Sequence, residues 1–169
     1  MKKRLFIAIK TKPELDQEIK TWQIKHSKIA FRWIKGQNLH ITLIPPWYEA
    51  DEARAKASLN QIQGKIPKFK ISFKKIESTT NGKIIWLTGD APKEILDLKN
   101  TLRDLLGIPK ENRPFKMHVT VGKINPKEIL EKTLDEKFIF EEKVSEVVLM
   151  QSQISNEGAD YKILYKIKL

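Results

Sequence analysis

No cysteine occurs in this 169-residue sequence, which excludes disulfides, iron–sulfur clusters, thiolate zinc sites and thiol nucleophiles together. Any chemistry must run on oxygen and imidazole groups. Long apolar runs are also missing: no stretch of about 18 hydrophobic residues is present, so no membrane-spanning helix is expected. The opening MKKRLFIAIKTK returns to charge directly after a short apolar segment and offers no small-residue cleavage site, unlike a signal peptide. A cytoplasmic protein that does not engage membranes is expected. Low-complexity tracts and linkers are absent too, and 169 residues with 40% hydrophobic content suit one domain better than two independent ones.

Acidic residues are outnumbered, with 32 Lys and Arg against 21 Asp and Glu, a formal charge of +11. Such a balance favours polyanionic partners, nucleic acid first, through phosphate contacts and counterion release. A lysine-rich surface also follows from genome composition or growth temperature, so charge alone does not assign a function.

The hydrophobic periodicity predicts a strand at Arg4–Lys10 and a helix opened by Pro13 that carries Leu15, Ile19, Trp22 and Ile24. Strands follow at Phe31–Ile34 and Leu39–Ile44, separated by the turn-type Lys35–Asn38, with Pro45-Pro46 expected to stop the second. A charged, Ala-rich helix is expected over Glu49–Ile62, then a hairpin of Phe69–Ile76 with Lys83–Thr88. The pattern then restarts, with a helix over Pro92–Leu106 and a strand at Met117–Lys123. A helix at Pro126–Leu134 and strands at Val144–Gln151 and Tyr161–Ile167 complete the chain. From Phe6 to His40 is 34 positions (40 minus 6), and from Ile85 to His118 is 33 (118 minus 85). This spacing reads as a degenerate internal duplication within one domain, its lobes spanning about 1–80 and 81–169, with the termini free to cross between lobes.

The chemistry-bearing feature is the pair His40-Ile41-Thr42-Leu43 and His118-Val119-Thr120-Val121. On a strand, period two puts each His and Thr on one face and the aliphatic residues on the other. Two such strands facing each other across a cleft would present two imidazoles and two hydroxyls to one small anionic group. Only three histidines and nine threonines occur, so one histidine has about a 5% chance of a threonine two places on, and a double hit is specific. Opening a cyclic phosphodiester needs water deprotonated on one side of phosphorus and the departing sugar oxygen protonated on the other. Imidazoles, with an ordinary pKa of about 6.5, can do both near neutral pH. The threonine hydroxyls can donate to non-bridging phosphate oxygens. The histidines are too dispersed for a zinc site, and no metal or other cofactor is expected.

At these motifs the chain resembles the 2H phosphoesterase superfamily, in particular its LigT-like RNA 2′,3′-cyclic phosphodiesterases, once called 2′-5′ RNA ligases. The likeness extends to the opening RLFIAIK, to Phe31–Ile34 and Gln37–Leu43, to Arg113–Gly122, and to Gln151-Ser152 with Gly158 and Tyr161. It implies a bilobal, pseudo-twofold α+β fold with two antiparallel sheets lining a central cleft and helices outside. It also implies hydrolysis of 2′,3′-cyclic RNA ends to 2′-phosphomonoesters, with His40 as proton donor and His118 as proton acceptor. RNA with cyclic phosphate ends, tRNA fragments included, is the implied partner of a monomer. Relatives often carry arginine as a phosphate clamp after the second motif. This chain has Lys123, whose parity along a regular strand is opposite to that of His118.

Phe6, Trp47 and Tyr161 are candidates to touch a nucleobase, while Trp33, Trp86 and Phe115 read as core. Arg113 and Lys116 suit either RNA phosphates or a solvated face. His26 reads as a surface residue. The same active site could run in reverse and join RNA ends through a 2′,5′ linkage. Two further readings are a non-catalytic module that binds RNA ends and a phosphodiesterase for small cyclic nucleotides.

Overall fold

The computed structural model describes residues 2–27, 31–124, 133–155 and 158–169. In chain order these form β1 (Lys3–Lys10), α1 (Pro13–Lys25), β2 (Phe31–Trp33), a 3₁₀ turn (Gly36–Asn38), β3 (His40–Glu49) and α2 (Glu52–Asn60). There follow β4 (Phe69–Ser78), β5 (Ile84–Asp90), α3 (Lys93–Leu106), β6 (His118–Ile124), β7 (Asp135–Val144), β8 (Glu146–Ser155) and β9 (Gly158–Lys168). The strand order is β7-β4-β5-β6-β3-β1-β8-β9, antiparallel throughout, with β2 added on β6.

This order is symmetric about its centre. β6 with β5, β4 and β7 matches β3 with β1, β8 and β9, and the halves meet at one residue pair, Ile41 opposite Val119. The two antiparallel sheets of the α+β fold are thus continuous through a single bridge. β2 takes over the free edge of β6 directly beyond it, pairing Trp33 with Gly122 and Arg32 with Lys123. The His40 half uses strands from both ends of the chain, whereas β4 belongs with β5; a cut near residue 80 would fall inside that hairpin.

Helices form where apolar residues recur every three to four positions. α1 buries Leu15, Ile19 and Trp22, and α3 buries Ile95, Leu98, Leu102 and Leu106. Both pack with Ile7, Ile9, Ile41, Leu43, Ile85, Leu87, Val119 and Val121 in the main core. α2 begins at Asp51, whose carboxylate accepts from the Ala53 and Arg54 amides, and α3 ends on Gly107 at φ 66°. A smaller cluster of Phe6, Ala8, Val148 and Met150, with Tyr161 and Ile163 against it, covers the opposite face of the β1 half. β1 is therefore apolar on both faces, which explains its unbroken LFIAI run.

Two expectations change. Pro45 and Pro46 do not stop β3, which continues to Glu49; the register slips between Ile7/Ile44 and Leu5/Trp47, leaving both prolines without a partner. A bulge needs no amide donor there. β7 is an additional edge strand, and its period-two pattern, with Phe138 and Phe140 half-buried and Ile139 exposed, is masked in sequence by surrounding charge. The helix expected over Pro126–Leu134 falls almost wholly outside the described residues.

Candidate functional site

The two motifs have one geometry. In each, the His and Thr are half-exposed while the residues between and after are buried. Ile41 faces Val119 across the antiparallel bridge, so His40 lies alongside Thr120, and Thr42 alongside His118. All four share the face opposite the core, with the two histidines on the diagonal, a relation that in regular sheet separates residues by roughly 7–8 Å and their Cβ atoms by somewhat less. Each motif also bulges at its fourth residue: β1 pairs Ala8 with Thr42 but Ile7 with Ile44, and β5 pairs Trp86 with Thr120 but Ile85 with Gly122. The extra residues, Leu43 and Val121, are both fully buried, so the bulge drives an additional aliphatic side chain into the core.

The second bulge overturns the parity argument against Lys123. Cross-strand partners share a face. Lys123 pairs with Ile84, which alternates with Trp86 and Thr88, the partners of Thr120 and His118. The extra Val121 therefore brings Lys123 to the histidine face. A Cβ at Gly122 beside it would lie 3.1 Å from the Trp33 ring, tight enough that the ring would have to give by a few tenths of an ångström.

His40 Nδ1 lies 2.7 Å from the Asn38 carbonyl oxygen, and His118 Nδ1 lies 2.8 Å from that of Lys116. A carbonyl only accepts, so each Nδ1 carries a hydrogen and donates it, and each neutral ring keeps its lone pair on Nε2. The flanking shells differ. The His40 ring sits 5.1 Å from Phe6, tilted, and 5.1 Å from Tyr161, edge to face. Burial on this apolar support, with repulsion from Lys10 and His118, pushes the His40 pKa from 6.5 down to about 4 against the opposing Asn38 hydrogen bond. Lys10 donates to the Gly36, Gln37 and Leu39 carbonyls at 3.0, 2.9 and 2.8 Å, fixing the turn that presents Asn38.

His118 lies against Trp86, ring centroids 4.4 Å apart at 33°. Its pKa is also lowered, by burial first and then by Lys116 and Arg113, against the Lys116 carbonyl bond. Lys116 Nζ sits 5.2 Å over Trp86 and 2.8 Å from Glu77, which also accepts from Thr88 at 3.1 Å. Burial would raise the Glu77 carboxyl, but hydrogen bonds from Lys116, Lys75 and Thr88 outweigh it and hold its pKa at about 2. One imidazole thus rests on an aromatic support, the other beside a charged network.

Two cavities flank the motifs. One, of about 420 Å³, is lined by Arg32, Lys35, Asn38, Lys123 and Tyr161 among others. The second, of about 330 Å³, is lined by Thr42, His118, Trp86, Arg113, Phe115 and Lys116 among others. Tyr161 and Lys123 therefore open on the first and Arg113 on the second, where it pairs with Glu111 at 3.4 Å. Phe6 is only 1% exposed and has no surface left for a nucleobase; it supports His40 from below. Trp86 is a site residue missed in the sequence, although Ile85 and Leu87 in the core put it on the His118 face by alternation. His26 is not simply a surface residue: 12% exposed, it stacks on Trp22 and bridges to Glu136 of β7 at 2.9 Å. Among the described residues no three His, Asp or Glu side chains gather as metal ligands, and no helix is long and apolar enough to cross a membrane.

A symmetric pair of strands, each offering an imidazole and a hydroxyl to one face, defines a two-histidine phosphoesterase architecture. The chain belongs to the 2′-5′ RNA ligase superfamily, whose family model matches residues 11–154. It is 27% identical, over 95% of its length and 97% of the relative's, to an RNA 2′,3′-cyclic phosphodiesterase of Archaeoglobus fulgidus. Among solved structures it resembles E. coli LigT complexed with 3′-AMP, at 26% identity and a TM-score of 0.77, covering 100% of this chain and 99% of that one. TT0787 of Thermus thermophilus shares the fold at 21% identity and a TM-score of 0.80, covering 98% and 97%.

Proposed function

We propose that this chain hydrolyses RNA 2′,3′-cyclic phosphate ends, tRNA fragments included, to 2′-phosphomonoesters, with His118 as proton acceptor and His40 as proton donor. The observation that carries this is the matched Nδ1–carbonyl bond of the two imidazoles, which reserves both Nε2 atoms for the same face. Water gives a proton to His118 Nε2 as its oxygen bonds to phosphorus. The bond from phosphorus to the 3′ oxygen breaks, and that oxygen takes a proton from His40 Nε2. The products are a 2′-phosphomonoester and a 3′-hydroxyl, and the two rings exchange protons with solvent to reset. The hydroxyls of Thr42 and Thr120 donate to the non-bridging oxygens, where charge accumulates. An anionic phosphate between the rings opposes the depression of the His40 pKa and so promotes its protonated form. The whole-length likeness to an RNA 2′,3′-cyclic phosphodiesterase supports the same reading.

With a ribose 5′-hydroxyl in place of water, the same transfers create a 2′,5′ linkage. The test is incubation of the purified protein, with EDTA, with an oligonucleotide ending in a 2′,3′-cyclic phosphate. The expected product is the 2′-phosphate, formed at an undiminished rate. A 3′-phosphate would refute the choice of leaving oxygen, and loss of turnover restored by a divalent ion would refute catalysis by the histidines alone.

A further inference from the structure

We infer that the cavity between β2, the 3₁₀ turn and β9 is the track for the RNA backbone upstream of the reacting end, with Arg32 and Lys35 as its phosphate contacts. This deepens the reading above and rests on it. The cations around the two cavities differ in state. On the His118 side Lys99 pairs with Glu111 at 2.6 Å, Arg113 with Glu111 at 3.4 Å and Lys116 with Glu77 at 2.8 Å. A phosphate arriving there meets carboxylates already in place. Lysine and arginine hold Glu111 below the usual carboxylate range, so those acids stay charged and repel it.

On the other side Arg32, Lys35 and Lys123 are exposed, line one cavity, and have no ion pair among the described residues. Among the described residues that line it, Asp160 is the one acid. Arg32 lies directly opposite Lys123, so the two cations share the histidine face and bracket the way out of the site. Cations with no internal counterion are those that gain most from neutralising phosphates. The same cavity holds a second, independent feature. Asn38 is 9% exposed, its Nδ2 donates to the Ala159 carbonyl at 3.4 Å, and its Oδ1 is a buried acceptor with no partner among the described residues. Such an acceptor is costly to leave unmatched, but it is closed off from the cavity, so a ribose hydroxyl reaches it only if the Asn38 side chain turns.

The experiment compares adenosine 2′,3′-cyclic phosphate, which has no upstream phosphate, with a triadenylate carrying the same cyclic end, which has two. Both are assayed with the wild-type protein and with Arg32→Gln, Lys35→Gln and the double variant across a salt series. For the triadenylate, the double variant should lose about 10-fold in kcat/KM at low salt, and the slope of log kcat/KM against log salt should shrink by about 1.4, roughly 0.7 per contact on a single strand. For the mononucleotide it should stay within about twofold. Equal losses on both substrates would overturn the inference by placing these cations on the reacting phosphate, and no loss on either would overturn it by sending the strand elsewhere. Fluorescence anisotropy of a labelled, 2′-phosphorylated triadenylate reads the same slope without turnover. If the wild type hydrolyses neither substrate, the proposed hydrolysis falls while anisotropy still decides the track.

Discussion

Acidification should destabilise this protein through His40 in a calculable way. A histidine depressed from 6.5 to about 4 is neutral in the fold while its unfolded counterpart is still able to charge. Above pH 6.5 neither state binds the proton and His40 contributes nothing. As pH falls below that, the unfolded state gains protons first, and stability is lost until the folded ring also charges near pH 4. The difference is about 2.5 pH units (6.5 minus 4), and at about 1.4 kcal/mol per unit the full loss is about 3 kcal/mol. The ring is only partly buried, so solvent screening lowers this to about 2 kcal/mol. The perturbation is a pH series from 7.5 to 4, and the assay is urea unfolding of the wild type against His40→Asn, whose amide can still donate to the Asn38 carbonyl. The wild type should lose about 2 kcal/mol more than the variant over that interval. Parallel losses, or an NMR titration midpoint of the His40 ring at or above 6.5, would refute the argument that burial on Phe6 and Tyr161 sets its charge.

Removing either imidazole, by His40→Ala or His118→Ala, should slow turnover by roughly 100-fold to 10,000-fold with little change in RNA affinity at fixed salt; wild-type-like turnover in both would end the acid/base reading. Thr42→Ala and Thr120→Ala should cost less, about 10-fold to 100-fold in kcat, because each deletes one neutral hydrogen bond and leaves the proton transfers in place. Phe6→Ala should cost about 3 kcal/mol by thermal or urea unfolding, since it empties a fully enclosed position; a change under about 1 kcal/mol would mean the site collapses without it.

The sequence made the motif strands and the helices legible because both rest on local periodicity: His40 and Thr42 alternate with Ile41 and Leu43, and α3 carries its leucines at helical spacing. It concealed whatever depends on a neighbouring strand. The bulge at Val121 exists only in pairing with β5, and without it the facing of Lys123 comes out reversed. Pro45 and Pro46 read as a stop until β1 shows the slip that accommodates them. β7 is an edge strand, held mainly by pairing with β4, and charge along it hides the alternation. The His40 environment was out of reach for the same reason, since Tyr161 arrives from a strand more than a hundred residues later.

The joint between the halves has a mechanical consequence. Each imidazole is anchored to a carbonyl of its own half, yet the halves are stitched through one bridge at Ile41 and Val119 and clasped by β2 beyond it. The gap separating the two imidazoles is therefore set by the seam and by neither half alone. A slight change of twist along that line would move one ring relative to the other while leaving both anchoring hydrogen bonds intact. On the proposed acid/base mechanism, such a lesion would silence the enzyme with every reactive group correctly oriented, because a proton would be offered where the departing oxygen no longer lies.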